Sequence, residues 1–384
     1  GKQPSPEDCD CVMLRRRRVS RIFFLRKFFP YPISLSLATL AKLGLWRTIK
    51  AACGYIAAKM HRLPEDSLEN FYINRFGRPL YSLFFEGYTQ KVWGVHPSQL
   101  GADWGSQRVK GLSVSAVIKD ALLRRFRSND VAQKGVETSL IEQFLYPKYG
   151  PGQLWECVAG RVAEKGGTLL KESRVEQVNV ENGRVVSVVY RTAGGSLVTR
   201  ECDYLLSSMP LKDLIAALRG VEIPAQVAQV AATLPYRDFI TVGLLVDRMK
   251  IKNHTKLRTY AARVPDTWIY IQERDVQVGR LQVFNNWSPY MLKDPENTVW
   301  IGLEYFCDEG DAFWNMTDEE CIAFAVKELR KMGVIEKGVC LDAHREKVKK
   351  AYPAYFDTYS EFDQVIKFLD GYDNLFCVGR NGQH

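Results

Sequence analysis

The sequence predicts an α/β (α+β) chain organised as two domains, and three observations predict it. Apolar residues recur at helical spacing over residues 34–60 and again from 67 towards 93. The period then falls to two in short β-rich runs between 169 and 208, with Asn182-Gly183 marking a tight hairpin. Beyond Pro210, helix, sheet and helix follow once more, so the chain crosses between two domains more than once. A length of 384 residues accommodates two or three domains, and 46% hydrophobic with 25% charged residues is the balance of an ordinary globular protein.

In order, residues 1–10 read as a disordered or trimmed start. Residues 19–29 are rich in β-formers and predict a hairpin, although Leu25-Arg26 stands where an Asn-Gly type of turn is usual. Leu37, Leu40, Leu45, Ile49, Ala52 and Ile56 build a helix weakened at Gly44. Ser67, after Pro64, is the expected N-cap of the next helix, and 114–126 is a further helical candidate. A helix over 154–165 should stop at Gly166-Gly167. Strands are expected at 169–171, 175–180, 185–190, 197–202 and 204–208, then a helix opened by Pro210. A second sheet is expected from 239–247, 267–272, 281–284 and 299–306. Thr317 and Glu320 form a capping box for a helix over 317–332.

The formal charge of +9 is uneven, since residues 1–27 hold eight basic and three acidic side chains. Arg15 to Arg18 with Arg21, Arg26 and Lys27 could be a nucleic-acid patch or one for peripheral contact with an anionic membrane, or simply part of the strand hairpin, and no specific nucleic-acid partner is expected. Nine cysteines without CxxC spacing fit free thiols in a reducing compartment, and five scattered histidines predict no metal site. The uncharged run 28–41 is too short to span a bilayer and no secretory signal is visible, so a cytoplasmic location is expected.

Chemistry concentrates in residues 75–94. Phe76, Tyr81, Phe84, Phe85, Tyr88 and Trp93 alternate there with Arg75, Arg78, Thr89 and Lys91. Rings, hydroxyls and cations together suit a pocket for a planar, anionic ligand. The same spacing also fits an amphipathic helix that uses its rings as core.

The run Gly87 to Trp93 (GYTQKVW), behind Gly77-Arg78-Pro79-Leu80-Tyr81, resembles the segment of UDP-galactopyranose mutases that lies over flavin and nucleotide. With Tyr146 to Gly152, Phe284-Asn285-Asn286-Trp287, Lys350-Ala351-Tyr352-Pro353 and Val378 to Gly382, it resembles the FAD-dependent amine oxidase and protoporphyrinogen oxidase-like superfamily, in that family's order. The resemblance runs from about residue 15 to 384. It implies a two-domain flavoprotein: a partial doubly wound FAD-binding domain plus a substrate domain of mixed helices and antiparallel sheet. The expected division is a hairpin and helical substrate or cap region at 1–150, an FAD-domain helix and β-meander at 151–210, a β-sheet substrate domain at 211–350, and a return to the FAD domain at 351–384.

Two family features are missing. A dinucleotide site needs GxGxxG between a strand and a helix; Gly150-Pro151-Gly152 is the nearest match, but Trp155 takes the third glycine's place. The end of the C-terminal flavin motif is also absent. A trimmed form or a protein that lost the cofactor would both read this way, and the retained flavin-side segments favour trimming. The resemblance implies FAD contacts at Val175, through its backbone, and at Gly379, Arg380, Asn381 and Gly382. It implies substrate contacts at Tyr88, Thr89, Trp93 and Tyr352, and Arg280 and Asn286 join them as a polar–aromatic group. An arginine that grips a diphosphate in the mutases aligns with Leu112, near Arg108 and Lys110. The expected activity is a flavin oxidoreductase acting on a small molecule by hydride transfer to flavin N5. A mutase acting on a nucleotide-sugar, and a non-catalytic remnant or scaffold, are the alternatives. Catalytic residues and oligomeric state are not legible.

Overall fold

The computed structural model describes residues 4–31, 33, 37–102, 142–260, 263–354 and 361–383. The expected helix at 114–126 and the positions Arg108, Lys110 and Leu112 lie outside them. The chain divides into two compact units, one of Gly1–Val158 with Phe239–Val348 and one of Ala159–Asp238 with Lys349–His384.

Strands β1 (Met13–Arg17), β2 (Ser20–Phe24) and β3 (Lys27–Pro30) open the chain. The β2–β3 hairpin forms as expected, with Phe24 opposite Lys27. Its two turn residues take left-handed backbone, Leu25 at φ 52° and Arg26 at φ 56°. The weak point at Gly44 is a true break: its φ of 84° separates α1 (Leu37–Leu43) from α2 (Leu45–Met60). Ser67 Oγ accepts the Asn70 N–H at 3.3 Å and starts α3 (Leu68–Phe76). Gly77 ends it at φ 79°, and a Cβ there would fall 2.5 Å from the Gly54 carbonyl carbon, so two backbones touch at a place only glycine allows. The predicted continuous helix to residue 93 is instead α4 (Arg78–Tyr81), a π-helical turn at Ser82–Glu86 and α5 (Gly87–Trp93), which Gly94 closes in the left-handed region.

Strand β4 (Gln143–Pro147) pairs antiparallel with β1. Gly150-Pro151-Gly152 is the start of helix α6 (Pro151–Glu164), with proline where its missing N–H costs nothing. Gly166 and Gly167 donate to Ala163 and Val162 carbonyls, each at 2.9 Å, which ends α6 as predicted.

The strand expected at 169–171 does not form. A strand needs a ladder partner, and those residues belong to none of the sheets among the described residues. Next come β5 (Arg174–Glu181), β6 (Arg184–Arg191), β7 (Leu197–Glu201), β8 (Leu205–Ser207), α7 (Leu211–Ala217), β9 (Leu218–Arg219) and α8 (Ala225–Thr233). Asn182 (φ 49°) and Gly183 (φ 76°) make the predicted tight turn between β5 and β6. The sheet runs β7-β6-β5-β9, and Val178, Val180 and Val185 pack under Leu211, Leu214 and Leu218.

Four more strands build the large sheet: β10 (Tyr236–Val246), β11 (Trp268–Ile271), β12 (Arg280–Val283) and, after the short α9 (Phe284–Trp287), β13 (Val299–Cys307). Helix α10 (Asp318–Lys331) begins with the predicted capping box, Thr317 Oγ1 on the Glu320 N–H and the Glu320 carboxylate on the Thr317 N–H. With β14 (Cys340–Pro353) the sheet order is β14-β10-β13-β12-β11-β2-β3, the N-terminal hairpin joining through parallel β2 and β11. One face of it is the first unit's core: Ile269, Ile271, Leu281, Val283, Ile301 and Leu303 meet Cys321, Ala325 and Leu329 of α10. Each of the buried isoleucines, leucines and valines contributes about 1.5–3 kcal/mol. The chain ends in α11 (Phe362–Leu369), β15 (Leu375–Cys377), which lies parallel to β8, and the five-residue α12 (Gly379–Gln383) where a turn was expected.

Candidate functional site

The alternation in Trp268-Ile269-Tyr270-Ile271 sends the two isoleucines into the core and the two rings to the sheet's other face. There Tyr270 stacks on Tyr31 at 4.4 Å and meets Tyr88 of α5 edge-on at 5.8 Å. Trp268 meets Tyr270 at 6.5 Å and Trp287 at 5.9 Å. The Arg280 guanidinium lies between the Trp268 ring, 5.0 Å away, and the Phe306 ring, 4.8 Å away. Arg280 Nε also pairs with Glu304 Oε2 at 2.7 Å, while Gln282 Nε2 donates to Glu304 Oε1 at 2.6 Å. Burial pushes the Glu304 carboxyl up, against the pull of Arg280 and Gln282. Burial likewise pushes the Tyr270 and Tyr31 phenols up, which keeps both neutral. The buried Trp268 Nε1 has no acceptor among the described residues.

Helix α5 splits its three candidates. Thr89 and Trp93, four residues apart, share one face and are buried, 7% and 6% exposed. Tyr88 lies on the adjacent face, half-buried, and lines a cavity of about 330 Å³ with Glu86, Lys91, His96, Gln272 and Glu273. Lys91 there donates to the carbonyls of Ile271, Glu273 and Val278 at 3.3, 3.0 and 3.1 Å. Burial lowers its amine to about 8. Most other rings of residues 75–94 serve the core: Phe76, Tyr81 and Phe84 are buried, and Phe85 stacks on Tyr72 at 4.5 Å. Asn286 stands at the edge of the ring face; its Nδ2 donates to Val264 and Asp266 carbonyls at 2.9 and 2.7 Å, and its own carbonyl accepts from Arg16.

The second unit holds the remaining candidates, all but Val175 near its C-terminal end. Arg380 donates to the Ala351 carbonyl at 3.0 Å with its guanidinium 5.2 Å from the Tyr352 ring. Asn381 Nδ2 donates to the Lys350 carbonyl at 3.3 Å, and Asn381 Oδ1 is a buried acceptor with no donor among the described residues. Lys350 itself is held at φ 49° by its N–H to Asp238 Oδ1 (2.5 Å) and its ammonium to Asp213 (2.5 and 2.7 Å). Gly379 has φ 74°, and a Cβ on Gly382 would lie 2.7 Å from the Ser207 carbonyl oxygen. Val175 is in β5 opposite Tyr190, beside a register shift. Sequence reasoning missed Trp268, Tyr270, Gln282 and Glu304; the two rings were visible as the alternating half of a strand.

A family model described as flavin containing amine oxidoreductase matches residues 1–379. The chain belongs to that family. FAD is the cofactor of flavin-containing amine oxidoreductases. Among solved structures the chain is similar to reduced UDP-galactopyranose mutase, at 17% identity and a TM-score of 0.72, covering 97% of this chain and 74% of that one. It is also similar to a protein assigned as protoporphyrinogen oxidase from Exiguobacterium sp. 255-15 (14% identity, TM-score 0.63, 95% and 76% covered). Cyclohexylamine oxidase from Brevibacterium oxydans IH-35A is a third (10% identity, TM-score 0.55, 97% and 81% covered). At these identities the likeness shows the fold. For the family's cofactor, the second unit offers the orphaned Asn381 Oδ1 and the left-handed Gly379, a buried acceptor and an open backbone turn of the kind a dinucleotide's flank requires. The glycine turn that would take the pyrophosphate is not within these 384 residues. Among the described residues no helix is long and apolar enough to cross a membrane.

Proposed function

We propose that the protein is an FAD-dependent oxidoreductase of the amine oxidase and protoporphyrinogen oxidase type, acting on a small molecule held against the ring face of the first unit. The observation that carries this reading is the chemistry of that face. Tyr31, Tyr88, Trp268, Tyr270 and Trp287 supply flat apolar walls. The guanidinium of Arg280 and the carboxyl of Glu304 are paired with each other at 2.7 Å. Burial holds the Tyr31 and Tyr270 phenols neutral. Such a wall orients a substrate and excludes water, and among the described residues an acid and an imidazole beside it, Glu86 and His96 in the cavity that Tyr88 lines, stand 3.5 Å from each other, which suits a reaction whose difficult step belongs to a cofactor. FAD, when bound, supplies a hydride acceptor at N5. Val175, Gly379, Arg380, Asn381 and Gly382 are the residues we assign to its flank.

The test is anaerobic titration of FAD-loaded protein with primary amines and other C–N or C–C hydride donors. Bleaching of the visible flavin band is expected with at least one class. A band unchanged across the panel rejects the assignment.

One observation favours the mutase as a second reading. Arg380 lies over Tyr352, the residue that resembles a diphosphate ligand, and a tyrosine beside a guanidinium is a pairing suited to binding phosphates. Failure of UDP-sugars to raise the melting temperature would remove it.

A further inference from the structure

We propose that Cys11 and Cys157 form an oxidation site, a dithiol that peroxide converts to a disulfide. Their sulfurs are 3.2 Å apart although the residues are 146 positions apart in sequence, and both are thiols in this structure. Formation of the bond, at about 2.0 Å, needs an approach of only about 1 Å, within reach of side-chain rotation.

The contact is built rather than incidental. The chain just before Cys11 is pinned at Asp10, whose carboxylate takes the Lys148 ammonium at 2.7 Å and the Tyr149 hydroxyl at 2.9 Å. The Asp10 carbonyl accepts Gln153 Nε2 at 2.7 Å, and the Lys148 N–H bonds the Val12 carbonyl at 3.2 Å. Gln153 and Cys157 are one turn apart on α6, so the side chain that grips Asp10 and the thiol that meets Cys11 share a helix face. Cys11 is exposed and Cys157 half-buried, so a small oxidant reaches the pair. By contrast Cys307 and Cys321 are enclosed in the first unit's core.

The chemistry balances with peroxide as oxidant. One thiolate attacks the peroxide, its O–O bond breaks, and a sulfenic acid and a water form. The second thiolate then attacks that sulfur, the S–O bond breaks, and the disulfide forms with release of a second water. Two thiols are oxidised and one peroxide is reduced to two waters. The bond closes a loop across residues 11–157 and makes covalent the hold that Asp10 has on Lys148, Tyr149 and Gln153.

The test treats the whole reduced chain with hydrogen peroxide and maps cysteines by mass spectrometry without reduction. The expected product is a Cys11–Cys157 cross-linked peptide two hydrogens lighter than its parts, lost again on thiol treatment. The oxidised protein should melt about 5 °C or more above the reduced one, since a long closed loop restricts the unfolded chain. Cys157→Ser should abolish both the cross-link and the melting shift and leave Cys11 labelled by a sulfenic-acid probe, whereas Cys9→Ser should leave both intact. Over-oxidation of Cys11 to sulfinic acid without a cross-link overturns the proposal. So does a cross-link that forms as readily through Cys9.

Discussion

Two hairpin turns in this molecule have the same backbone and opposite chemistry. At Asn182-Gly183 both residues sit in the left-handed region, at φ 49° and 76°, and both types tolerate it. At Leu25-Arg26 the angles are 52° and 56°, on residues that pay about 1–2 kcal/mol each to be there. The difference is in what surrounds them. A Cβ on Gly183 meets nothing within 4 Å, so that turn stands by its own preference. The Arg26 N–H donates to Glu273 Oε1 at 2.6 Å, and its guanidinium reaches Glu273 at 3.1 Å and Asp275 at 2.7 Å. One turn is written locally and the other is imposed by a loop about 247 positions away.

The largest effect expected from that contrast is at Glu273, whose side chain is 9% exposed. Glu273→Ala removes the acceptor of a strained backbone N–H together with a partly buried charge partner, and should destabilise the first unit by about 2–3 kcal/mol. Every tryptophan of the chain falls in the sequence stretches of that unit, so a urea transition followed by tryptophan fluorescence reads it directly. A loss below about 0.5 kcal/mol would mean that the Leu25-Arg26 turn carries itself. Gly183→Leu should cost about 1–2 kcal/mol through backbone strain alone. It should speed amide exchange in β5 and β6 about 5- to 30-fold and leave the tryptophan transition in place.

The same contrast explains what could be read from the sequence. Gly44, Ser67, Asn182-Gly183, Gly166-Gly167 and the Thr317/Glu320 box were legible because each acts within about four residues. The geometry of Leu25-Arg26 was not, because Glu273 decides it. Nor was the split of α5, where Thr89 and Trp93 turn inward and Tyr88 does not, since either face of a ring-rich helix can be the buried one. The strand expected at 169–171 failed for want of a ladder partner, a fact no local propensity contains. At the candidate site, Asn286, Arg380 and Tyr352 were singled out from motif order and Arg280 as part of a polar–aromatic group, but Trp268, Tyr270 and Glu304 read as ordinary strand. Only the register of β11, β12 and β13 brings those three to one face.

Smaller changes sharpen the comparison further. Arg26→Gly keeps the backbone bond to Glu273 and relieves the left-handed strain, but gives up the guanidinium's pairs with Glu273 at 3.1 Å and Asp275 at 2.7 Å. Relief and loss are of similar size, so a net change within about 0.5 kcal/mol is expected in the same urea transition.

The smallest effect concerns the Asp275 pair alone. The hydrogen bond from Arg26, joined by its charge and by Lys331, holds the Asp275 carboxyl below its usual range. A carboxyl depressed by folding binds fewer protons in the folded chain than in the unfolded one. Its contribution is therefore present above about pH 4 and lost as pH falls through the folded value. Exposure and screening limit the contribution to a few tenths of a kcal/mol. Stabilities of the native protein and Asp275→Asn should differ by that amount at pH 6 and converge only as pH falls below the depressed folded value. A gap above about 1 kcal/mol at pH 6 would show that the side-chain bridge, not the backbone bond to Glu273, holds Leu25 and Arg26 in their strained turn.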